Sequence, residues 1–325
     1  MTRSRRPRRK VVLWGLFGVL ALAIIAIILV VILVIALLQP TPPRPGPAAP
    51  GQSSAQRPRT QPADCADVSV VVVPGSFESA SDDDPYNPRA NPNALLLRIS
   101  RPLAQAFDNS RADVYTVPYA ASFRNPTNLD DKTRDYNDSR AEGTARVRAR
   151  ITEVNQRCPL TGFVLLGFSQ GAVIAGDVAS SIGNDKGPVA ADLVLGVGLI
   201  ADGRRQPGEA IDVAPSPPGV GAEVSLGGLG TLVPGIAMTG SRPGAFGSLR
   251  SRTVSICAAG DLICDAPTIL NPFDAVGKLL GAINNPIHAL YGTTRYWQSD
   301  GASATRWLFG WSRSVVDRAP RPPHN

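Results

Sequence analysis

A serine between two glycines is the residue of this 325-residue chain whose setting most suggests chemistry. Residues 167–171 spell Gly-Phe-Ser-Gln-Gly, with Ser169 at the centre. In a G-x-S-x-G turn between a strand and a helix, the serine hydroxyl is exposed as a nucleophile. A chain of this length contains the short pattern by chance about one time in ten. The weight of the motif therefore depends on its partners and on the elements around it.

A serine hydroxyl is a weak nucleophile until a base removes its proton. The chain contains two histidines, and His324 lies next to the last residue in a proline-rich stretch, so His288 is the candidate base. The acid that orients this base is expected between serine and histidine in chain order. Asp261, between two cysteines and after a predicted strand, is the candidate, and Asp265 and Asp274 are alternatives.

The negative charge that develops on an ester oxygen requires at least two hydrogen-bond donors. The backbone N–H of Gln170, directly after the serine, is one candidate. The loop 74–77 after the first predicted strand supplies the other, and Ser76 can donate from both its N–H and its hydroxyl. Ser76 could equally be an ordinary turn residue.

Apolar strands alternate with helical segments along the chain, which is typical of a parallel sheet covered on both faces. We expect an α/β-hydrolase fold, a three-layer sandwich with a five-stranded, mainly parallel sheet. An apolar strand runs directly into the serine motif and a helix follows it, as the motif requires. The predicted strands are 68–73, 113–119, 161–166, 193–200 and 252–257, and the predicted helices are 93–109, 139–157, 170–181, 274–283 and 302–316.

Residues 203–247 interrupt this alternation. The segment contains 11 glycines and 6 prolines in 45 residues, together with scattered valines, leucines and isoleucines. A long irregular loop in a compact domain is usually functional or disordered. Two interpretations remain open: a mobile apolar flap near an acyl site, or a disordered surface insertion.

The N-terminal part of the chain predicts a membrane anchor. Residues 11–38 form an uncharged apolar run of 28 residues, longer than the apolar region of a secretory signal. The basic residues 1–10 should stay in the cytoplasm, so that everything after the span lies outside. Residues 39–64 predict a proline-rich disordered linker. The alternative is a cleaved signal peptide, with Ala48-Ala49 as a weak cleavage site and a secreted product.

The domain that follows is predicted over 65–318, with a disordered tail at 319–325. The chain carries a net charge of +7, but residues 1–10 contribute +6 and 39–64 contribute +2, which leaves −1 for 65–325. A near-neutral domain lacks the basic footprint of a nucleic-acid-binding protein. The spacing of the cysteines does not suggest a zinc site, and no metal or organic cofactor is implied.

All four cysteines, Cys65, Cys158, Cys257 and Cys264, lie beyond the apolar run. An even number of cysteines in an oxidising compartment suggests two disulfides, for which three pairings exist. A bridge between Cys257 and Cys264 would clamp the loop that carries Asp261.

Together these features resemble the cutinase family, and in particular its actinobacterial, membrane-anchored esterases from mycolic-acid bacteria. The resemblance covers most of residues 65–318. The segment 203–247 departs from the compact fungal pattern. The motifs that carry the resemblance are Cys65 at the start of the first strand, Gly75-Ser76, Cys158-Pro159, the serine motif at 167–171, Cys257-x-x-Gly260-Asp261-x-x-Cys264 and His288-Ala289-Leu290-Tyr291-Gly292.

The resemblance implies a catalytic triad of Ser169, Asp261 and His288, and an oxyanion hole formed by Ser76 and Gln170. It also implies the disulfides Cys65–Cys158 and Cys257–Cys264. The implied activity is hydrolysis of fatty-acyl esters or envelope lipids outside the membrane, as a carboxylesterase, phospholipase A or thioesterase. The alternatives are an acyltransferase that uses the same acyl-enzyme and a non-catalytic envelope-binding protein.

Overall fold

Buried β-branched runs form the middle of the sheet. The computed structural model describes residues 57–125, 128, 130–227, 235–267 and 285–325. All residues of Val68–Val73 (β1) and Gly162–Phe168 (β3) are buried, and Val194–Ile200 (β4) is buried at all but one position. Strands that are apolar on both sides are typical of parallel sheets with helices on both faces.

Shorter strands complete the sheet on both sides. Ala112–Thr116 (β2) pairs with β1, Thr253–Ile256 (β6) pairs with β4, and Ile211–Asp212 (β5) pairs with β6. The order is β2-β1-β3-β4-β6-β5, and every pairing is parallel. The prediction of five strands was therefore wrong by one. The additional strand has two residues and lies in the glycine- and proline-rich segment, too short to produce a periodic pattern.

Helices cover the two faces of the sheet, as predicted for a three-layer sandwich. One face packs against Leu97–Ala106 (α1) and Ala304–Arg318 (α6), and the other against Tyr136–Arg157 (α2) and Gln170–Gly183 (α3). The side chains of β1 alternate between the layers, with Val70 and Val72 in one core and Val71 and Val73 in the other.

Further short helices are present in the part of the chain that the structure describes. These are Ala222–Ser225 (α4), Pro286–Ala289 (α5) and the 3₁₀ helices Ala191–Leu193 and Gly247–Arg252. The helix predicted at 274–283 lies outside the described residues. Helix α2 begins three residues before its predicted start, because the side chain of Asp135 accepts a hydrogen bond from the Asp138 N–H (2.9 Å) and caps the first turn.

The C-terminal tail is ordered by pairing with the chain just before the domain. The backbone N–H of Gln61 donates to the carbonyl of Pro323, and the N–H of Asn325 donates to Gln61 (both 3.0 Å). The side chain of His324 lies 3.1 Å from the carbonyl oxygen of Cys65. The disorder predicted for 319–325 is thus not found, and Gln61, in the last residues of the predicted linker, is itself buried.

The predicted tail 1–10, the predicted anchor 11–38 and the linker up to residue 56 lie outside the described residues. Within the residues that are described, no helix is both long enough and apolar enough to cross a membrane.

Candidate active site

Ser169 lies in a sharp turn between β3 and α3. Its backbone angles (φ 55°, ψ −123°) lie in a region of conformational space in which residues other than glycine are strained. The flanking glycines are required by close approaches: a Cβ on Gly171 would lie 2.1 Å from the carbonyl oxygen of Val73, and one on Gly167 would lie 2.4 Å from that of Gly171. The turn thus packs directly against the end of β1, with its serine at the start of a helix.

A chain of hydrogen bonds joins the three predicted residues. The Oγ of Ser169 lies 2.9 Å from Nε2 of His288, and Nδ1 of His288 lies 2.9 Å from Oδ2 and 3.1 Å from Oδ1 of Asp261. The tautomer that satisfies both contacts carries its proton on Nδ1, which donates to the carboxylate, and accepts at Nε2 from the serine hydroxyl.

Asp261 is completely buried in the loop after β6. Its carboxylate also accepts from the hydroxyl of Tyr291 (2.8 Å) and the N–H of Ile263 (3.1 Å). Burial and, secondly, the charge of Asp261 raise the pKa of Tyr291 well above 10, so that the phenol remains a donor. Because every oxygen of the carboxylate is engaged, the acid has a fixed orientation toward His288.

A disulfide closes the loop that carries Asp261. The structure contains Cys257–Cys264 and Cys65–Cys158, the pairing that the resemblance implied. Asp265, one alternative acid, accepts from the N–H groups of Gly219 (3.1 Å) and Gly260 (2.8 Å), so it organises the loop and does not bind His288. The other alternative, Asp274, lies outside the described residues.

His288 lies on the four-residue helix α5. The side chain of Asn285 caps this helix by accepting from the N–H of Ile287 (2.9 Å), and donates to the carbonyl of Gly260 (2.7 Å). The imidazole stacks on the ring of Phe168, with 5.0 Å between centroids and 23° between planes. The residue before the serine therefore supports the imidazole ring that lies beside the serine hydroxyl.

Both predicted oxyanion donors border the same cleft as Ser169. Gln170 is the first residue of α3, and the first N–H groups of a helix have no partner within the helix. The amide side chain of Gln170 is surrounded by polar groups on the side away from the cleft, where its oxygen lies 3.0 Å from Ser139 Oγ and 3.2 Å from Tyr119 OH. The positive end of the α3 dipole adds to the attraction for an anion at this point.

The loop that carries Ser76 is fixed by its neighbours. The carboxylate of Glu78 accepts from the N–H groups of Gly75 (2.9 Å) and Leu95 (2.7 Å), and the N–H of Phe77 donates to the carbonyl of Ala121 (2.6 Å). Burial raises the pKa of Glu78 above its ordinary value of 4.5, although the two amides and His288 oppose the shift.

The site opens into a mostly apolar cleft of about 340 Å³. Among the described residues that line it, the apolar side chains include Phe77, Leu95, Phe123, Val173, Met238 and Ile263. Glu78 and Glu223 are the carboxylates in the lining, and both are engaged with protein donors. Such a surface favours an aliphatic chain over a charged group. Four lining residues belong to the segment 203–247.

Sequence reasoning missed the residues that support the site. Tyr291 follows His288 by three positions, a spacing that places two side chains on one side of a helical turn, and could have been noticed. Tyr119 lies just beyond β2, at the edge where parallel sheets place their sites. Glu78 and Glu223 carried no comparable signal. Within the described residues, no group of three histidine, cysteine, aspartate or glutamate side chains could hold a metal ion.

Comparison with known proteins gives consistent matches. The family model for cutinase matches residues 64–278. A protein of Corynebacterium glutamicum described as a carboxylesterase Culp6 homolog is 42% identical over 276 residues, which are 83% of this chain and 88% of that protein.

Solved structures resemble the fold at lower identity. A cutinase-like protein from Cryptococcus sp. is 17% identical, with a TM-score of 0.50 over 82% of this chain and 100% of that one. The catalytic core domain of the acetyl xylan esterase from Trichoderma reesei is also 17% identical, with a TM-score of 0.48 over 79% of this chain and 100% of that one.

Proposed function

Because the chain belongs to the cutinase family and is a serine carboxylic-ester hydrolase, we propose that it hydrolyses fatty-acyl esters of envelope lipids outside the cytoplasm. In this proposal Ser169 is the nucleophile, His288 the general base and Asp261 the residue that orients the base. The observation that carries the proposal is the continuous hydrogen-bond chain from the Ser169 hydroxyl through His288 to the buried Asp261.

The reaction begins when Ser169 Oγ forms a bond to the ester carbonyl carbon and Nε2 of His288 takes the hydroxyl proton. The carbonyl oxygen becomes an oxyanion, which the N–H of Gln170 and the donors of Ser76 stabilise. When the C–O bond to the alcohol breaks, His288 returns its proton to the leaving oxygen. Water then attacks the carbonyl carbon of the acyl-serine while His288 takes a proton from the water. The bond between the acyl group and Ser169 Oγ breaks, His288 returns the proton to Oγ, and the fatty acid is released.

The lining of the cleft supports a fatty-acyl substrate. Burial of each methylene of an acyl chain contributes about 0.8 kcal/mol, whereas a charged chain would lose hydration without finding a free partner. Among the described residues that border the cleft there is no lysine or arginine to attract a charged acyl group. A neutral aliphatic ester is therefore the substrate class that fits.

An extracytoplasmic location is supported by the two disulfides, since structural disulfides are rare in the reducing cytosol. In the proposed topology the apolar segment 11–38 anchors the protein in the cell membrane and the enzyme acts on its outer side. Alkaline phosphatase fused after residue 325 should then be active in cells, because that reporter folds only outside the cytoplasm. An inactive fusion that is fully expressed would contradict this topology.

Activity of the full-length protein in detergent tests the catalytic assignment. Turnover of p-nitrophenyl acyl esters should fall by about 10⁴-fold or more in Ser169→Ala, and a fluorophosphonate probe should label wild-type protein at Ser169. Ser314→Ala, on helix α6 away from the cleft, is the matched control and should retain wild-type turnover. Equal turnover in wild type and Ser169→Ala would refute the assignment.

A further inference from the structure

Described residues of the segment 203–247 form part of the cleft wall, although the sequence alone left the role of the segment open. Gly203, Ala222, Glu223 and Met238 all border the cleft. Leu226 and Ile236 are buried in a small apolar cluster with Tyr136 of helix α2, against which Phe123 and Met238 pack. Side chains from this segment and from α2 thus form one continuous surface.

Glu223 ties the segment to α2. Its Oε1 accepts from the hydroxyl of Tyr136 (2.6 Å), and the guanidinium of Arg140 donates to both oxygens (3.0 and 2.8 Å). Its Oε2 also accepts from the Oγ1 (2.5 Å) and the N–H (3.2 Å) of Thr239, the residue after Met238. One buried carboxylate therefore joins α2 to two separate parts of the segment.

The electrostatics require Glu223 to be ionised. Burial opposes ionisation, but Arg140 and the hydrogen bonds from Thr239 and Tyr136 outweigh it and hold the pKa of Glu223 below its ordinary value of 4.5. The hydroxyl of Tyr136 remains a donor, because burial and the neighbouring Glu223 raise its pKa well above 10. All five contacts therefore persist at neutral pH.

A second set of ion pairs, made by Arg204 and Arg242, holds other parts of the segment independently of Glu223. Arg242 is buried against Asp202, after β4, and Asp177, on α3. Arg204 pairs with Asp177 and donates to the carbonyl of Gly240 (2.8 Å). Loss of Glu223 should thus release the stretch at Met238 and Thr239 without detaching the whole segment.

We propose that Glu223 is a positioning residue that sets acyl-chain selectivity, by fixing the Met238–Thr239 stretch against α2 as a rigid apolar wall of the cleft. This inference rests on the proposed function. An acyl chain gains from the wall in proportion to the apolar area that it places there. Long chains should therefore depend on Glu223 more than short ones, and the reacting groups at Ser169 should depend on it little.

The test compares p-nitrophenyl butyrate with p-nitrophenyl dodecanoate on the full-length protein in detergent. In Glu223→Gln, Arg140 loses its counter-charge and Thr239 loses a charged acceptor, so the wall is released. We expect the ratio of kcat/KM for dodecanoate to kcat/KM for butyrate to fall about tenfold, mainly through a higher KM for dodecanoate.

Glu209→Gln is the matched control. Glu209 lies in the same segment and accepts from Gln206 (2.6 Å), but it does not border the cleft. Its selectivity ratio should equal that of the wild type. An unchanged ratio in Glu223→Gln, whether both esters lose activity equally or neither does, would overturn the inference.

A second variant keeps the test decisive if Glu223→Gln fails to fold, which circular dichroism and the melting temperature would reveal. Thr239→Val removes one donor to Glu223 from an exposed position and should shift the ratio in the same direction by a smaller factor. An unchanged ratio in Thr239→Val would then refute the role of Glu223 in acyl-chain selectivity.

The two proposals fail in different ways. If the wild-type protein neither hydrolyses butyrate nor reacts with a fluorophosphonate at Ser169, the proposed function is wrong. If it does both and the variants keep the wild-type selectivity ratio, the proposed function stands and only the role of Glu223 is wrong.

Discussion

The hydroxyl of Tyr119 lies within hydrogen-bond distance of both sides of the proposed oxyanion site. It is 2.7 Å from the carbonyl oxygen of Pro74, in the loop that leads to Ser76, and 3.2 Å from Oε1 of Gln170. Tyr119 is completely buried, and burial raises the pKa of its phenol well above 10. The residue thus bridges the loop after β1 and the first residue of α3, and it does not line the cleft.

Tyr119→Phe should lower kcat by about tenfold while KM changes little, because the two donors are no longer held at a fixed separation when the oxyanion forms. Steady-state kinetics with p-nitrophenyl butyrate would measure this. Tyr115→Phe, on strand β2 and half-buried, is the control and should keep the wild-type kcat. A fall in KM and kcat together, or no change in either, would contradict a role in oxyanion geometry.

At the residue scale, the small number of histidines made the proposed reacting groups identifiable from the sequence. With His324 in a proline-rich terminus, only His288 could serve as a base, and the serine motif and the cysteine-flanked Asp261 were visible as patterns. Glu223 and Tyr119 were not predictable, because their significance lies in contacts between positions distant in the chain. Nothing in the local sequence distinguishes a buried glutamate that accepts five hydrogen bonds from an exposed one.

At the scale of elements, the turn at Ser169 depends on how closely α3 approaches β1. A methyl group at Gly171 would lie 2.1 Å from one carbonyl oxygen and 2.3 Å from the next, those of Val73 and Pro74. Backbone atoms cannot rotate away as a flexible side chain can. Any side chain at this position must therefore separate the helix from the strand and displace the serine.

Gly171→Ala should destabilise the protein by about 3 kcal/mol or more and abolish ester hydrolysis, because the turn that carries Ser169 must move. Urea unfolding and p-nitrophenyl butyrate turnover would measure the two effects. Gly310→Ala is the matched control: a Cβ there meets nothing within 4 Å in helix α6. It should stabilise the helix by up to about 1 kcal/mol and leave turnover unchanged. Similar effects of the two substitutions would contradict this account of the turn.

The elements that were predicted correctly are long and strongly patterned. The central strands β1, β3 and β4 are uninterrupted apolar runs, and such runs are visible in a sequence. The strand β5 and the helix α5 have two and four residues, about one period of a strand and of a helix, so no repeat is visible in the sequence and only tertiary packing defines them. The start of α2 was missed because its first turn is polar and is defined by the cap at Asp135.

At the scale of the whole molecule, the two disulfides have different tasks. Cys65–Cys158 joins positions 93 residues apart, at the start of the domain and before β3, away from the triad. Cys257–Cys264 joins positions seven apart around Asp261. In the chain-entropy model the larger loop contributes about 4–5 kcal/mol and the smaller about 2–3 kcal/mol. Stability and activity should therefore depend on different bridges.

Replacing both members of each bridge by alanine separates these effects. The Cys65→Ala/Cys158→Ala protein should lose more free energy of unfolding and retain most of its kcat while folded. The Cys257→Ala/Cys264→Ala protein should lose less stability but more kcat, since the Asp261 loop is no longer closed. Urea unfolding would rank the two variants by stability, and ester turnover at a temperature where both are folded would rank them by kcat. We expect the two rankings to be opposite. If one variant lost more of both stability and kcat, the proposed division of tasks between the disulfides would be wrong.

The lining of the cleft also determines which compounds should block the enzyme. The ionisable side chains among the described residues at its surface are Glu78, Tyr136, Glu223 and His288, each already bonded to protein groups. A carboxylate-bearing inhibitor would find no lysine or arginine among these residues and would approach two carboxylates, those of the buried Glu223 and the half-buried Glu78. Neutral carbonyl electrophiles with an aliphatic tail, such as lactones or activated carbamates, match the cleft better. Potency should then increase with tail length until the apolar surface is filled.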